Sequence, residues 1–138
     1  MAAADIARCI GGGVSERVIR YRIARMIKEN MIQIRPIVNP QAFGLTTRAD
    51  VVMEVDSDLI MDVAKKAMSY DCVSYVACSI GEMDVSIQVI AKDTIEIYRF
   101  VTDVIRKMEG VRKTTTSIVP IVLKDVYQWH IPRDSISD

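Results

Sequence analysis

Between residues 47 and 123 the hydrophobic period changes in a fixed order, and this restricts the chain more than any single motif. Thr47 to Val55 sets Ala49, Val51, Met53 and Val55 at alternate positions, the period of a strand with one face buried. Ser57 then stands where a helix N-cap belongs, ahead of Ile60, Val63, Ala64, Ala67 and Met68 at helical spacing. Cys72 to Ile80 predicts a second strand, Gly81-Glu82-Met83 a tight connection, and Asp84 to Ala91 a third strand alternating through Val85, Ile87 and Val89. A second helix is predicted from about Asp93 to Met108, with Ile97, Val101, Val104, Ile105 and Met108 on one stripe and Gly110 as its end. Val111 to Leu123 reads as a fourth strand, and Pro120, which cannot donate to a ladder, puts it at an edge.

Strand, helix, two strands, helix, strand is the order of an α+β ferredoxin-like βαββαβ sandwich, with both helices on one side of an antiparallel sheet. The second sheet face is expected to carry alternating Val, Ile and Met. An apolar face of that size is too large to leave wet, which predicts at least a homodimer.

Ahead of this domain, Ala2 to Ile10 reads as a short helix stopped by Gly11-Gly12-Gly13. Ser15 caps a second helix running to about Glu29, with Val18, Ile19, Ile23, Met26 and Ile27 on its apolar stripe and arginines on the other face. Asn30 suits a left-handed helix end. Met31 to Val38 alternates like a strand, and Asn39-Pro40 closes it as a turn.

The overall charge of zero conceals an asymmetry. Residues 1 to 40 hold seven Arg and Lys against three acids, and the other 98 hold eleven against fifteen. A basic front on an acidic body is expected where one part meets a polyanion and the other does not. The three cysteines, Cys9, Cys72 and Cys78, form no close pair, which points to a reducing compartment and away from zinc. No apolar run approaches the roughly 20 residues of a membrane span, and Met1 to Ile10 lacks a signal peptide's pattern, so a cytoplasmic protein without a membrane partner is expected. The single histidine, His130, has no nucleophile at a spacing that suggests a pair. No phosphate loop or metal cluster is visible, so neither an enzyme nor a bound cofactor is expected.

Four motifs in order resemble the Lrp/AsnC (feast/famine) family of transcriptional regulators. Gly13-Val14-Ser15 leading to Tyr21-Arg22-Ile23-Ala24-Arg25-Met26 is similar to that family's recognition helix, and Asn39-Pro40 through Phe43-Gly44-Leu45 to its linker. Gly81-Glu82-Met83-Asp84 is similar to its Gly-x-Tyr-Asp hairpin, and Gly110-Val111 with Thr114-Thr115-Thr116 to the start of its last strand. The resemblance implies residues 1–32 as a partial winged helix-turn-helix whose first helix is missing, 33–45 as hinge and linker, 46–124 as an effector-binding and oligomerisation domain, and 125–138 as a tail. It further implies a DNA partner, an amino-acid effector at an inter-subunit interface, and assembly from dimers to tetramers or octamers.

Two sets of residues carry that chemistry. Ser15, Arg17, Arg20, Tyr21, Arg22 and Arg25 lie on the helix that would meet DNA, where arginines donate to guanine edges or phosphates. Gly81, Glu82, Met83 and Asp84 supply hairpin N–H groups for a carboxylate and a side chain for an ammonium, and Thr114, Thr115 and Thr116 add hydroxyls. The plainer alternatives are a solvated arginine helix and an ordinary turn, leaving a stand-alone sensing domain. An enzyme on a similar fold is the remoter reading.

Overall fold

The computed structural model describes residues 2–132 and 135. The chain divides into two units, residues 1–37 and 38–138. In the first, α1 (Ala3–Ile10) packs on α2 (Glu16–Lys28) across the three glycines, each of which has a positive φ. Ile19 is the buried residue of α2. Val18 and Ile27 of its expected stripe remain exposed. Asn30 ends the helix at φ 57°, as a left-handed residue should.

Met31 to Val38 is not a strand. Its alternation has no neighbouring strand to pair with, Pro36 lacks a donor, and Ile34, Ile37 and Val38 are exposed. Asn39 instead accepts from the Gln41 N–H at 3.2 Å and caps a 3-10 turn, Pro40–Phe43.

The second unit is built on β1 (Thr47–Val55), β2 (Val73–Cys78), β3 (Val85–Ala91) and β4 (Val111–Ile118). They form one antiparallel sheet in the order β2-β3-β1-β4. The register opposes Val51 to Ile87 and Met53 to Val85, so the buried residues of both central strands share one face. Against it lie Val63, Ala64 and Ala67 of α3 (Ile60–Met68), together with Ile97 and Val101 of α4 (Thr94–Asp103), in a single core. Each large side chain so buried stabilises the fold by about 1.5–3 kcal/mol.

Further expectations are corrected, among them the end of the fourth strand, which stops at Ile118 and not Leu123. Ser57 does not cap α3: the Asp56 carbonyl accepts the Leu59 N–H at 2.9 Å, and this turn delays the helix to Ile60. The second helix stops at Asp103, and a separate 3-10 turn, Ile105–Lys107, follows. The other sheet face is not a continuous field of Val, Ile and Met, because those residues serve the helix side. It carries Arg48, Asp50, Glu54, Gln88 and Lys113 around Val52, Tyr75 and Ile90, tied by a Gln88–Asp50 bond of 2.9 Å and a Lys113–Glu54 pair at 3.2 Å.

Candidate ligand groove and basic helix

Ser15 holds the start of α2 by accepting from the Val18 N–H at 3.3 Å. The face opposite Ile19 presents Arg17, Tyr21 and Lys28, with Arg25 beside them, as 100° per residue dictates. Arg22 lies nearer the Ile19 side. Arg20 donates to Glu16 at 2.9 Å and Arg25 to Glu29 at 2.8 Å, and the latter hydrogen bond, with Glu29's charge, raises the Arg25 pKa. Arg17 and Arg22 form no ion pair among the described residues. Of the six residues expected to meet DNA, two arginines are thus tied along the helix and two are unpaired.

The hairpin between β2 and β3 is built around Asp84. Its carboxylate accepts the Val55 N–H at 2.8 Å, its own N–H donates to the Met53 carbonyl at 2.9 Å, and its carbonyl accepts the Ser79 N–H at 2.8 Å. The residue expected to take an ammonium therefore already staples the hairpin to the end of β1. Gly81 (φ 146°) and Glu82 are exposed, Met83 is half-buried, and Ile80 at the tip is wholly exposed.

The three threonines separate by parity. Thr114 opposes Met53 and Thr116 opposes Val51, on the helix side, whereas Thr115 opposes Val52 on the other face. Since β4 is an edge strand and α3 packs on β2 and β3, the helix side of β4 is left open. The result is a groove of about 460 Å³ beside α4. Its lining is Thr94, Ile95, Ile97, Tyr98, Val101, Thr102, Arg106, Thr116 and Ile118, which includes no carboxylate.

A smaller recess of about 360 Å³, lined by Val111, Arg112, Lys113 and Thr114, shares Arg106 with the groove. Arg106 donates from Nε to Thr114 Oγ1 at 3.0 Å. Sequence reasoning missed Arg106 and Tyr98. The available signal was the position of Arg106 just before the Gly110 turn, from which it can fold back onto Thr114.

The hairpin residues Gly81 to Asp84 do not line the groove, because β3 and β1 stand between them and β4, about 10 Å of sheet. Elsewhere, burial pushes the half-buried Cys72 thiol up, while Cys9 and Cys78 are exposed. Among the described residues no His, Cys, Asp or Glu cluster could hold a metal ion, and no helix is long and apolar enough to cross a membrane.

Fold and groove together define the class: a ferredoxin-like α+β sandwich with an open cleft along its edge strand, attached to a basic pair of helices. Residues 49–128 match the Lrp/AsnC ligand binding domain, and the chain belongs to the Lrp/AsnC family of transcriptional regulators. It is 31% identical over 121 residues to an uncharacterised HTH-type transcriptional regulator of Pyrococcus furiosus, covering 87% of this chain and 80% of that one. It is also 30% identical over 114 residues to the HTH-type transcriptional regulator FL11 of the same organism, covering 82% and 75%. Among solved structures, E. coli AsnC superposes with a TM-score of 0.78 at 22% identity, over 95% of this chain and 86% of that one. A transcriptional regulator of Neisseria meningitidis, solved as a complex with L-Met, superposes with a TM-score of 0.85 at 17% identity, over 94% and 85%. At these identities the two structures speak to the fold alone.

Proposed function

We propose that this regulator binds DNA through its N-terminal unit and takes an amino-acid-like effector in the groove between α4 and β4. The groove itself carries the reading: it is open, about 460 Å³ in volume, and lined by hydroxyls, apolar side chains and one guanidinium. The L-Met held by the Neisseria meningitidis regulator supports an amino acid as the class of ligand.

The effector site is completed by a second copy. Gly81 to Asp84, two strands from the groove in one chain, would approach it from a neighbour, and the wholly exposed Ile80 at the hairpin tip offers that neighbour an apolar contact. Exposed Ile121, Leu123, Val126, Tyr127 and Trp129 add further apolar surface for assembly. Residues 1–32 act as two helices of a helix-turn-helix, 33–45 as the linker, 46–124 as sensor and 125–138 as a tail. Like its named relatives, the chain regulates rather than catalyses.

DNA binding is tested by fluorescence anisotropy with duplex from upstream of the chain's own gene. Several phosphate contacts require affinity to fall by about 10³-fold or more between roughly 50 and 200 mM salt. Binding that is absent or insensitive to salt would instead support the second reading, a stand-alone sensor. That reading is favoured by the pairing of Arg20 with Glu16 and Arg25 with Glu29, and by the exposure of Val18 and Ile27.

A further inference from the structure

We infer that one stripe of α2, made of Arg17, Tyr21, Ala24 and Lys28, reads DNA sequence: Arg17 takes a guanine, Tyr21 the methyl group of a nearby thymine, and Lys28 a phosphate. This rests on the N-terminal unit binding DNA. The stripe follows from what the helix buries, since Ile19 is its buried residue and α1 packs on α2. At about 100° per residue, Arg17 and Tyr21 stand about 160° from Ile19, on either side of the outward pole, with Ala24 at about 140° and Lys28 at about 180°. Intervals of four, three and four residues set the four side chains in one line along the helix. All are exposed, Tyr21 by 67%.

Ion pairing separates the arginines that can read a base from those that cannot. Arg20 is bonded to Glu16 and Arg25 to Glu29, one turn away along the helix, so a base must displace a carboxylate to reach either fork. The acid of each pair also offsets the charge its arginine would bring to the phosphates. Arg22, about 60° from Ile19, stands on the flank nearest the buried side. Arg17 and Lys28 form no ion pair among the described residues. Arg17 therefore keeps all its donors, and its fork matches the O6 and N7 acceptors of guanine.

Size and distance assign the other three. Ala24 is the smallest side chain of the stripe and lets the helix backbone approach the base edges. Tyr21 projects an aromatic ring that can cover the thymine methyl, the group by which the major groove marks an A·T pair with apolar surface. From Arg17 to Tyr21 the helix rises about 6 Å, close to two base steps of about 3.4 Å each. From Arg17 to Lys28 it rises about 16 Å, more than the groove's width of about 12 Å, which carries Lys28 past the base edges to the backbone. The half-site read is a guanine with a thymine within about two base steps.

Selection from a randomised duplex pool by the full chain, followed by fluorescence anisotropy on the selected duplex and a scrambled one, tests this. The enriched motif should hold the guanine and the thymine at that spacing. Arg17→Gln and Arg17→Lys should both lower the preference for the selected duplex about tenfold, the second although it keeps the charge, because an ammonium lacks the fork. Replacing the thymine by uracil, which removes only the methyl, should weaken binding by the unaltered chain about threefold and leave Tyr21→Ala unaffected. Ala24→Leu, an exchange of two strong helix formers, should weaken the selected duplex about tenfold. Lys28→Gln should weaken both duplexes alike, and Arg20→Gln should keep the preference within about twofold. Circular dichroism checks that each variant keeps its helices, and if neither Arg17 variant folds, the uracil duplex on the unaltered chain decides. Binding without an enriched motif, no loss on uracil, or a preference unmoved in folded Arg17→Lys would overturn the inference and leave DNA binding standing. No binding to any duplex would overturn both.

Discussion

Asp125 shows how a single carboxylate fixes the start of the C-terminal tail. It accepts from the Val126 N–H at 2.7 Å and from Arg48 Nη1 at 3.1 Å, and these two bonds, the backbone one foremost, hold its pKa below the ordinary carboxyl value. A depressed carboxyl pKa contributes stability that is present above about pH 4 and is lost as pH falls through the folded value. The tail is thus expected to release from β1 only below about pH 4, and Arg48→Gln should move that release to higher pH. Trp129, the one tryptophan, sits directly after the 3-10 turn Val126–Gln128 that Asp125 caps, so its emission reads the change. At this scale some roles were legible and others were not. Ser15 was readable as a cap because capping is local. The commitment of Asp84 to Val55, 29 residues away, was invisible without the register of β1.

The elements were most readable where period and partner agree. Ala49, Val51, Met53 and Val55 announced β1 because their alternation is met by buried Val85, Ile87 and Val89 across the ladder. Met31 to Val38 alternates as well and forms no strand, since a period names a face and not a neighbour. β4 ends at Ile118 for a related reason: Val119 makes a last bond to the Arg48 carbonyl at 2.8 Å, β1 then runs out, and Pro120 has no donor to offer. Parity decided the groove, separating Thr115 from Thr114 and Thr116, and required the pairing to be known. Where β4 begins, Gly110 passes close to α3. A Cβ there would stand 2.8 Å from Leu59 Cδ1 and 2.9 Å from Leu59 Cβ, on a backbone with φ +84°. Gly110→Ala should lower stability by about 2–4 kcal/mol, strain and clash together. Gly44→Ala, equally left-handed but with nothing within 4 Å, should lower it by only about 1 kcal/mol. Urea denaturation compares them.

At the scale of the whole molecule, residues 1–40 are basic and the remainder acidic, the asymmetry expected of the proposed division between a DNA-binding unit and a sensor. The βαββαβ order and the family were legible because they rest on the sequence of periods and on motifs that recur in order. The groove proposed for the effector was only partly legible: Thr116 in its lining stands among the residues singled out from the sequence, whereas Arg106 and Tyr98 join it only through the placement of α4 beside β4. The central claim is that occupancy of the α4–β4 groove alters DNA binding by the N-terminal helices. It is tested most directly by measuring affinity for the upstream duplex, at fixed salt, with and without whichever amino acid raises the chain's melting temperature most in a screen of all twenty. Coupling of ordinary strength predicts a change of about 5-fold or more. An affinity identical with and without a saturating ligand would contradict the account.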